Sequence, residues 1–221
     1  MATEPSAGDR FLGVLKLDAP TYEAIRQDVA ANGQAWLIVL LSGLLSGIGS
    51  AAALRQSWPQ LQEMLGRQAV DPATGQPLPV EPVVLPAIPP AGALVSTIVL
   101  SIVGAVIGWF VIAALAGWAG KTFFGGDRAA TGEQLRRLVG WSYAPLLLTV
   151  FGRVPVVGTI VSLAVAVWAI LTMVRALRTG LGLSAGKAVG TWLVASLLPG
   201  IVLFLAFFAA AAAVAPLTAA Q

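Results

Sequence analysis

The chain has 221 residues, of which 57% are hydrophobic and only 10% charged, with a mean hydropathy of +0.86. Soluble domains carry about 25% charged residues, so this composition excludes a water-soluble fold and points to lipid as the solvent. The formal charge of +3 and pI near 9.8 come from basic residues dispersed among loops, which excludes the clustered phosphate-binding patch of a nucleic-acid partner. There is no cysteine and no histidine, so disulfides, thiolate chemistry and the commonest general base are absent.

Residues 1–34 read as a charged cytoplasmic leader. It precedes the first apolar run at Ala35, so it does not have the form of an ordinary cleaved signal peptide. Within it, Tyr22, Ile25 and Val29 recur at helical spacing after Pro20, which suggests a short helix lying on the membrane surface.

A helix rises about 1.5 Å per residue, so crossing about 30 Å of hydrocarbon takes about 20 uncharged residues. Between Asp28 and Arg55 lie 26 such residues, placing a first span over 35–54. A loop over 55–90 follows, expected outside the cell. It holds eight of the 14 prolines and should be extended and polyproline-like, a plain connector in preference to a partner-binding segment. A second span covers 92–119, within 39 uncharged residues between Glu81 and Lys121.

The third span, 138–152, is short, with only 15 residues between Arg137 and Arg153. Thr131 and Gln134 stand at capping-box spacing and start its helix near Gly132, and the two arginines can reach toward opposite headgroup layers. A fourth span covers 154–174 and a fifth 188–212, leaving a short external tail over 213–221. With the N-terminus inside and five spans, ten Lys and Arg fall inside and three outside. Losing the third span would change this to eight and five. The positive-inside rule thus favours five spans, with the C-terminus outside. Trp36, Trp118, Trp141 and Trp192 fall near the expected cytoplasmic ends and Trp58 near the other, whereas Trp109 and Trp168 lie deeper, where packing accounts for them. The fold class is therefore all-α, a polytopic transmembrane bundle.

Ionisable residues inside spans usually mark proton relays, ion sites or catalysis. All ten acidic residues here fall in expected loops or tails, the last being Glu133. No catalytic, metal or cofactor site is expected, and the protein is not expected to be an enzyme. The spans instead carry small residues at close-packing intervals: Gly43 and Gly47 with Ser42, Ser46 and Ser50 in the first, and Gly104 and Gly108 in the second. Packing within one bundle is the simpler role for them, and a homo-oligomer or a second membrane protein the alternative. Pro145 and Pro199 kink the third and fifth spans.

The segment Leu138-Val139-Gly140-Trp141-Ser142-Tyr143-Ala144-Pro145 resembles a third-span motif of the YIP family, the Ypt/Rab-interacting membrane proteins. Gly140, Trp141, Ser142 and Pro145 would match its glycine, aromatic, small residue and proline. The leader from Phe11-Leu12-Gly13-Val14-Leu15 through Pro20-Thr21-Tyr22 resembles the prokaryotic form of the family's leader. The resemblance covers residues 11–212 and implies a non-enzymatic membrane organiser acting through helix packing and partners. The DLYGP-like leader motif of eukaryotic members is reduced here to Asp18-Ala19-Pro20, without the Tyr-Gly pair, which argues against a Rab-type GTPase partner. The Ala- and Gly-rich, cysteine-free composition suits the bacterial plasma membrane. The competing reading is a small uncoupled permease or channel subunit, motivated by the kinked spans and by Ser42, Ser46, Ser50, Thr149, Thr159 and Ser162.

Overall fold

The computed structural model describes residues 6–66, 85–127, 129–153 and 158–218, and these are helical apart from their connections. Two short helices, α1 (Ala7–Leu15) and α2 (Ala19–Gln27), precede the long helices α3 (Ala31–Gly66) and α4 (Ala91–Phe123). Then come α5 (Gly132–Trp141), a 3-10 helix (Ala144–Arg153), α6 (Gly158–Leu181) and α7 (Ala185–Thr218).

Local chemistry sets the helix starts. Ser6 caps α1 by accepting from the Asp9 backbone N–H while the Asp9 carboxylate accepts from the Ser6 N–H. Asp18 accepts from the Thr21 N–H at the start of α2, where Pro20 costs no internal hydrogen bond. The turn between the two helices is tight. Leu17 adopts a φ of 58°, and a Cβ on Gly13 would collide with the Thr21 side chain. The expected Thr131–Gln134 capping box opens α5 at Gly132.

Among the described residues, α3, α4, α6 and α7 (the last over Ala185–Val202) are long and apolar enough to cross a membrane. Their exposed side chains are strongly apolar in matching stretches: Leu37 to Ile48 on α3, Val95 to Phe110 on α4, Ile160 to Leu171 on α6 and Leu193 to Phe204 on α7. Apolar exposure over four neighbouring helices far exceeds the few hundred Å² that soluble monomers tolerate. This belt is the lipid-facing half. The well-packed core lies beyond it, built from the N-terminal parts of α3 and α7, the C-terminal parts of α4 and α6, α5 and the leader.

Several expectations need correction. Residues 55–66 are not loop. They continue α3 through Pro59, because Gln56, Gln60, Leu61, Gln62 and Met64 are good helix formers and Pro59 lies on an exposed face. Trp58 and Gln62, one turn apart, both donate to the Pro86 carbonyl, at 2.9 and 2.6 Å, and tie the returning chain to the helix. Residues 67–84, the rest of the expected extended loop, lie outside the described residues. At the other terminus α7 runs to Thr218, so most of the expected tail is helix.

The third segment is two helices meeting at Ser142 and Tyr143, where a single one was expected. Pro145 has no N–H to offer the Trp141 carbonyl and disfavours the α conformation at Ala144, so the chain leaves α5 there. The second leader helix exists, but Tyr22 and Ile25 are fully buried in the bundle, whereas Val29 lies past the helix end and is 70% exposed. The apolar stripe read as membrane-facing is filled by protein.

Candidate functional site

The motif residues sit at the break between α5 and the 3-10 helix, inside the packed core. Trp141 is 1% exposed and donates its indole N–H to the Ala31 carbonyl at 3.3 Å, so it is a core residue and not the interfacial one expected. Gly140 is required by space. A Cβ there would stand 2.8 Å from the Ala35 Cβ and 3.1 Å from the Trp109 ring. Pro145 is buried.

Ser142, at the end of α5, donates to the Val139 carbonyl at 2.6 Å. The carbonyls freed by the break are met by other helices. Thr172 of α6 donates to the Ser142 carbonyl at 2.9 Å, and Ser42 of α3 reaches the Tyr143 carbonyl at 3.4 Å. In a bundle that excludes water, such hydroxyls are what makes a broken helix tolerable. Trp109 packs edge-on against Trp36, with ring centroids 4.9 Å apart, and donates to the Arg136 carbonyl at 2.6 Å.

Arg137, one turn before Trp141, was expected to reach toward headgroups. It is 2% exposed and turned inward instead. Its guanidinium donates to the Arg26 carbonyl at 2.7 Å, to the Ile25 carbonyl at 3.4 Å and to the Asn32 side-chain oxygen at 3.2 Å. A planar cation thus closes the last carbonyls of α2, where the helix dipole is negative. Beside it Arg10, 4% exposed, forms an ion pair with Asp28 at 2.6 Å and donates to Gln34 at 3.1 Å. Burial alone would raise the Asp28 carboxyl. The Ala30 N–H, the Arg10 hydrogen bond and the charges of Arg10 and Arg137 outweigh it and hold the group below its ordinary range. Tyr22 completes the junction. Its hydroxyl lies 3.4 Å from the carbonyls of Val14 and Thr172, and burial pushes its ionisation upward.

Sequence reasoning missed this polar junction, and α1 with it. The Ser6–Asp9 spacing is a capping-box signal that could have announced α1, but nothing local announces a bond between Arg137 and α2.

The small-residue motifs separate. A Cβ on Gly43 or Gly47 would come within 2.8 Å of the Ile102 or Ile98 Cα, so this pair is the seat of the α3–α4 contact. Gly104 and Gly108 face open space: among the described residues, no other part of the fold comes within 4 Å of a Cβ there. Ser42 is buried and bonded to the Ile38 carbonyl at 2.7 Å. Ser46, Ser50 and Thr149 line a lateral groove of about 390 Å³ between α3 and the 3-10 helix. The Ser50 and Thr149 hydroxyls donate within their own helices, to Ser46 and Leu146. A second groove of about 510 Å³, lined by Val111, Ala114, Leu115, Leu198, Pro199 and Val202, is wholly apolar. Among the described residues no group of three or more His, Cys, Asp or Glu is placed to hold a metal.

Comparison with known families gives one result. The Yip1 domain family model matches residues 12–210, which takes in most of the leader, the motif and the polar junction apart from Arg10. No curated protein and no solved structure matches the chain.

Proposed function

The chain belongs to the Yip1 domain family, and from that membership we propose that it is a non-enzymatic membrane scaffold, embedded by five crossings, that presents a rigid charged face to partners at the cytoplasmic side. Membership and the exposed apolar belt make it a membrane protein of YIP type. The scaffold role is carried by one observation: among the described residues, each buried polar or charged residue is bonded within the fold. Arg10, Ser42, Arg137, Ser142, Thr172 and Thr191 are the buried polar and charged residues, and each is bonded to a carbonyl or a side chain of the bundle. This interior welds the leader to the spans, and among the described residues it buries no carboxylate.

Five crossings require the third segment to traverse the bilayer. The ten residues of the 3-10 helix rise about 20 Å, and Leu138, Val139, Gly140 and Trp141 at the end of α5 add about 6 Å beyond Arg137. The positive-inside count supports the same arrangement. The plasma membrane of a bacterium is the location that the composition favours.

The permease reading finds less support, because the Ser50 and Thr149 hydroxyls of the groove at Ser46 are already engaged within their own helices. Mild-detergent co-purification with crosslinking tests the scaffold. Recovery of a defined partner or a second copy is expected, and a monomer without partners across several detergents would contradict it. Solute flux through reconstituted vesicles, abolished by a bulky Ser46 substitution, would favour the permease.

A further inference from the structure

We propose that the seam between α1 and α6 binds the phosphate headgroup of an anionic phospholipid, held by Lys16, Arg175 and Arg178. The proposal rests on the reading that the charged end of the bundle meets the inner headgroup layer.

Four of the described cations are taken up by the fold. Arg10, Arg26 and Arg136 have carboxylate partners in Asp28, Glu23 and Glu133, and Arg137 is consumed by α2 carbonyls. Lys16, Arg175 and Arg178 form no ion pair among the described residues, and the Arg175 Nε–H is buried without a hydrogen-bond partner.

Helix α6 sets the two arginines one turn apart, and one hydrogen bond brings the end of α1 to its flank. Trp168 of α6 donates its indole N–H to the Leu15 carbonyl at 2.8 Å, which fixes the end of α1, and so Lys16, against α6. Arg175 stands two turns beyond Trp168 on the same helical face, and Arg178 one turn further. Asp18 lies within electrostatic reach of both Arg175 and Lys16.

The depth suits a headgroup. The exposed apolar stretch of α6 ends at Leu171, one turn before Arg175, and Trp168 is 44% exposed at its margin. Acyl chains lying along Leu163 and Val167 bring a phosphate level with the two arginines. The nearby acids do not cancel the site. Asp9 and Asp18 are held ionised by their helix caps, and the three cations outnumber these two carboxylates. Arginine pairs with phosphate through two parallel N–H groups, which a surface lysine alone cannot do.

The test uses the full chain, purified in a neutral detergent and titrated with phosphatidylglycerol or phosphatidylcholine, with bound lipid counted by native mass spectrometry. Phosphatidylglycerol should be retained in preference, with retention weakened roughly fivefold for each cation removed in Lys16→Ala and Arg175→Ala. Arg175→Lys should recover part of the loss, which separates headgroup binding from misfolding. Arg55→Ala, at the opposite end of the bundle, should change nothing. Equal retention of both lipids, an unaffected Lys16→Ala/Arg175→Ala variant, or equal retention of inorganic phosphate alone would overturn the proposal. A chain that stays monodisperse without detergent would instead undo the membrane reading on which it rests.

Discussion

Arg137 donates a hydrogen bond of 2.7 Å to the Arg26 carbonyl, across 111 positions of sequence. With the contacts to Ile25 and Asn32, it makes the leader part of the bundle rather than an appendage. Replacing Arg137 by Met leaves the end of α2 buried and uncapped. Loss of a buried charged hydrogen-bonding group costs about 3 kcal/mol. Limited proteolysis in detergent should cut residues 7–27 at least tenfold faster in the variant. Arg137→Lys, which keeps the charge but not the fork, should fall between. Unchanged protection would show that the leader is held without this residue.

The Arg10–Asp28 pair predicts the pH response of the same junction. The Asp28 carboxyl is held below its ordinary value of 3.8. A depressed carboxylate contributes stability that is fully present above its unfolded pKa and is lost as pH falls through the folded one. Leader protection should therefore be flat from about pH 5 to 8, where the chain, lacking histidine, has no side chain of ordinary pKa to titrate. It should weaken only below about pH 4. A midpoint near pH 6 in the proteolysis rate would contradict this assignment.

The two glycine pairs should respond in opposite ways to bulk. Gly47→Leu forces α3 from α4 at the Ile98 backbone and should destabilise the fold by about 2 kcal/mol or more. Gly104→Leu meets open space within the chain and should leave its thermal unfolding in detergent unchanged. A single cysteine at Gly104 should crosslink two copies if the outward pair meets a second copy, whereas one at Gly43 should not. Equal destabilisation by both leucine substitutions would refute the separation.

At the break, Gly140→Ala pushes a methyl against Ala35 and Trp109 and should cost about 1–3 kcal/mol. Thr172→Val removes the donor to the Ser142 carbonyl and should cost about 0.6 kcal/mol, the average for such bonds between membrane helices. Thermal unfolding in detergent measures both, and a neutral Gly140→Ala would mean that α5 can shift without cost.

What was legible in the sequence was what the solvent dictates. Charge-free runs located α3, α4, α6 and α7, since hydrocarbon excludes ionised groups along a whole helix. Helix ends were less legible, because outside lipid a helix continues wherever residues such as those from Gln56 to Met64 permit, even past Pro59. The Thr131–Gln134 box was readable because its chemistry is local. The inward turn of Arg137, the burial of Tyr22 and the Trp141–Ala31 bond were not, since each depends on a partner about a hundred positions or more away. An arginine at the end of an apolar run reads the same from sequence whether it turns toward headgroups or into protein.

The proposed five crossings of the bilayer, with the charged end inside, are open to one direct measurement. Single cysteines at Ala7, Gln60, Ala129 and Gln221, in this cysteine-free chain, can be probed in intact cells with a membrane-impermeant maleimide. Labelling from outside at Gln60 and Gln221, with Ala7 and Ala129 reactive only after permeabilisation, is the predicted result. Gln221 sharing the protection of Ala7 would mean an even number of crossings and would contradict it.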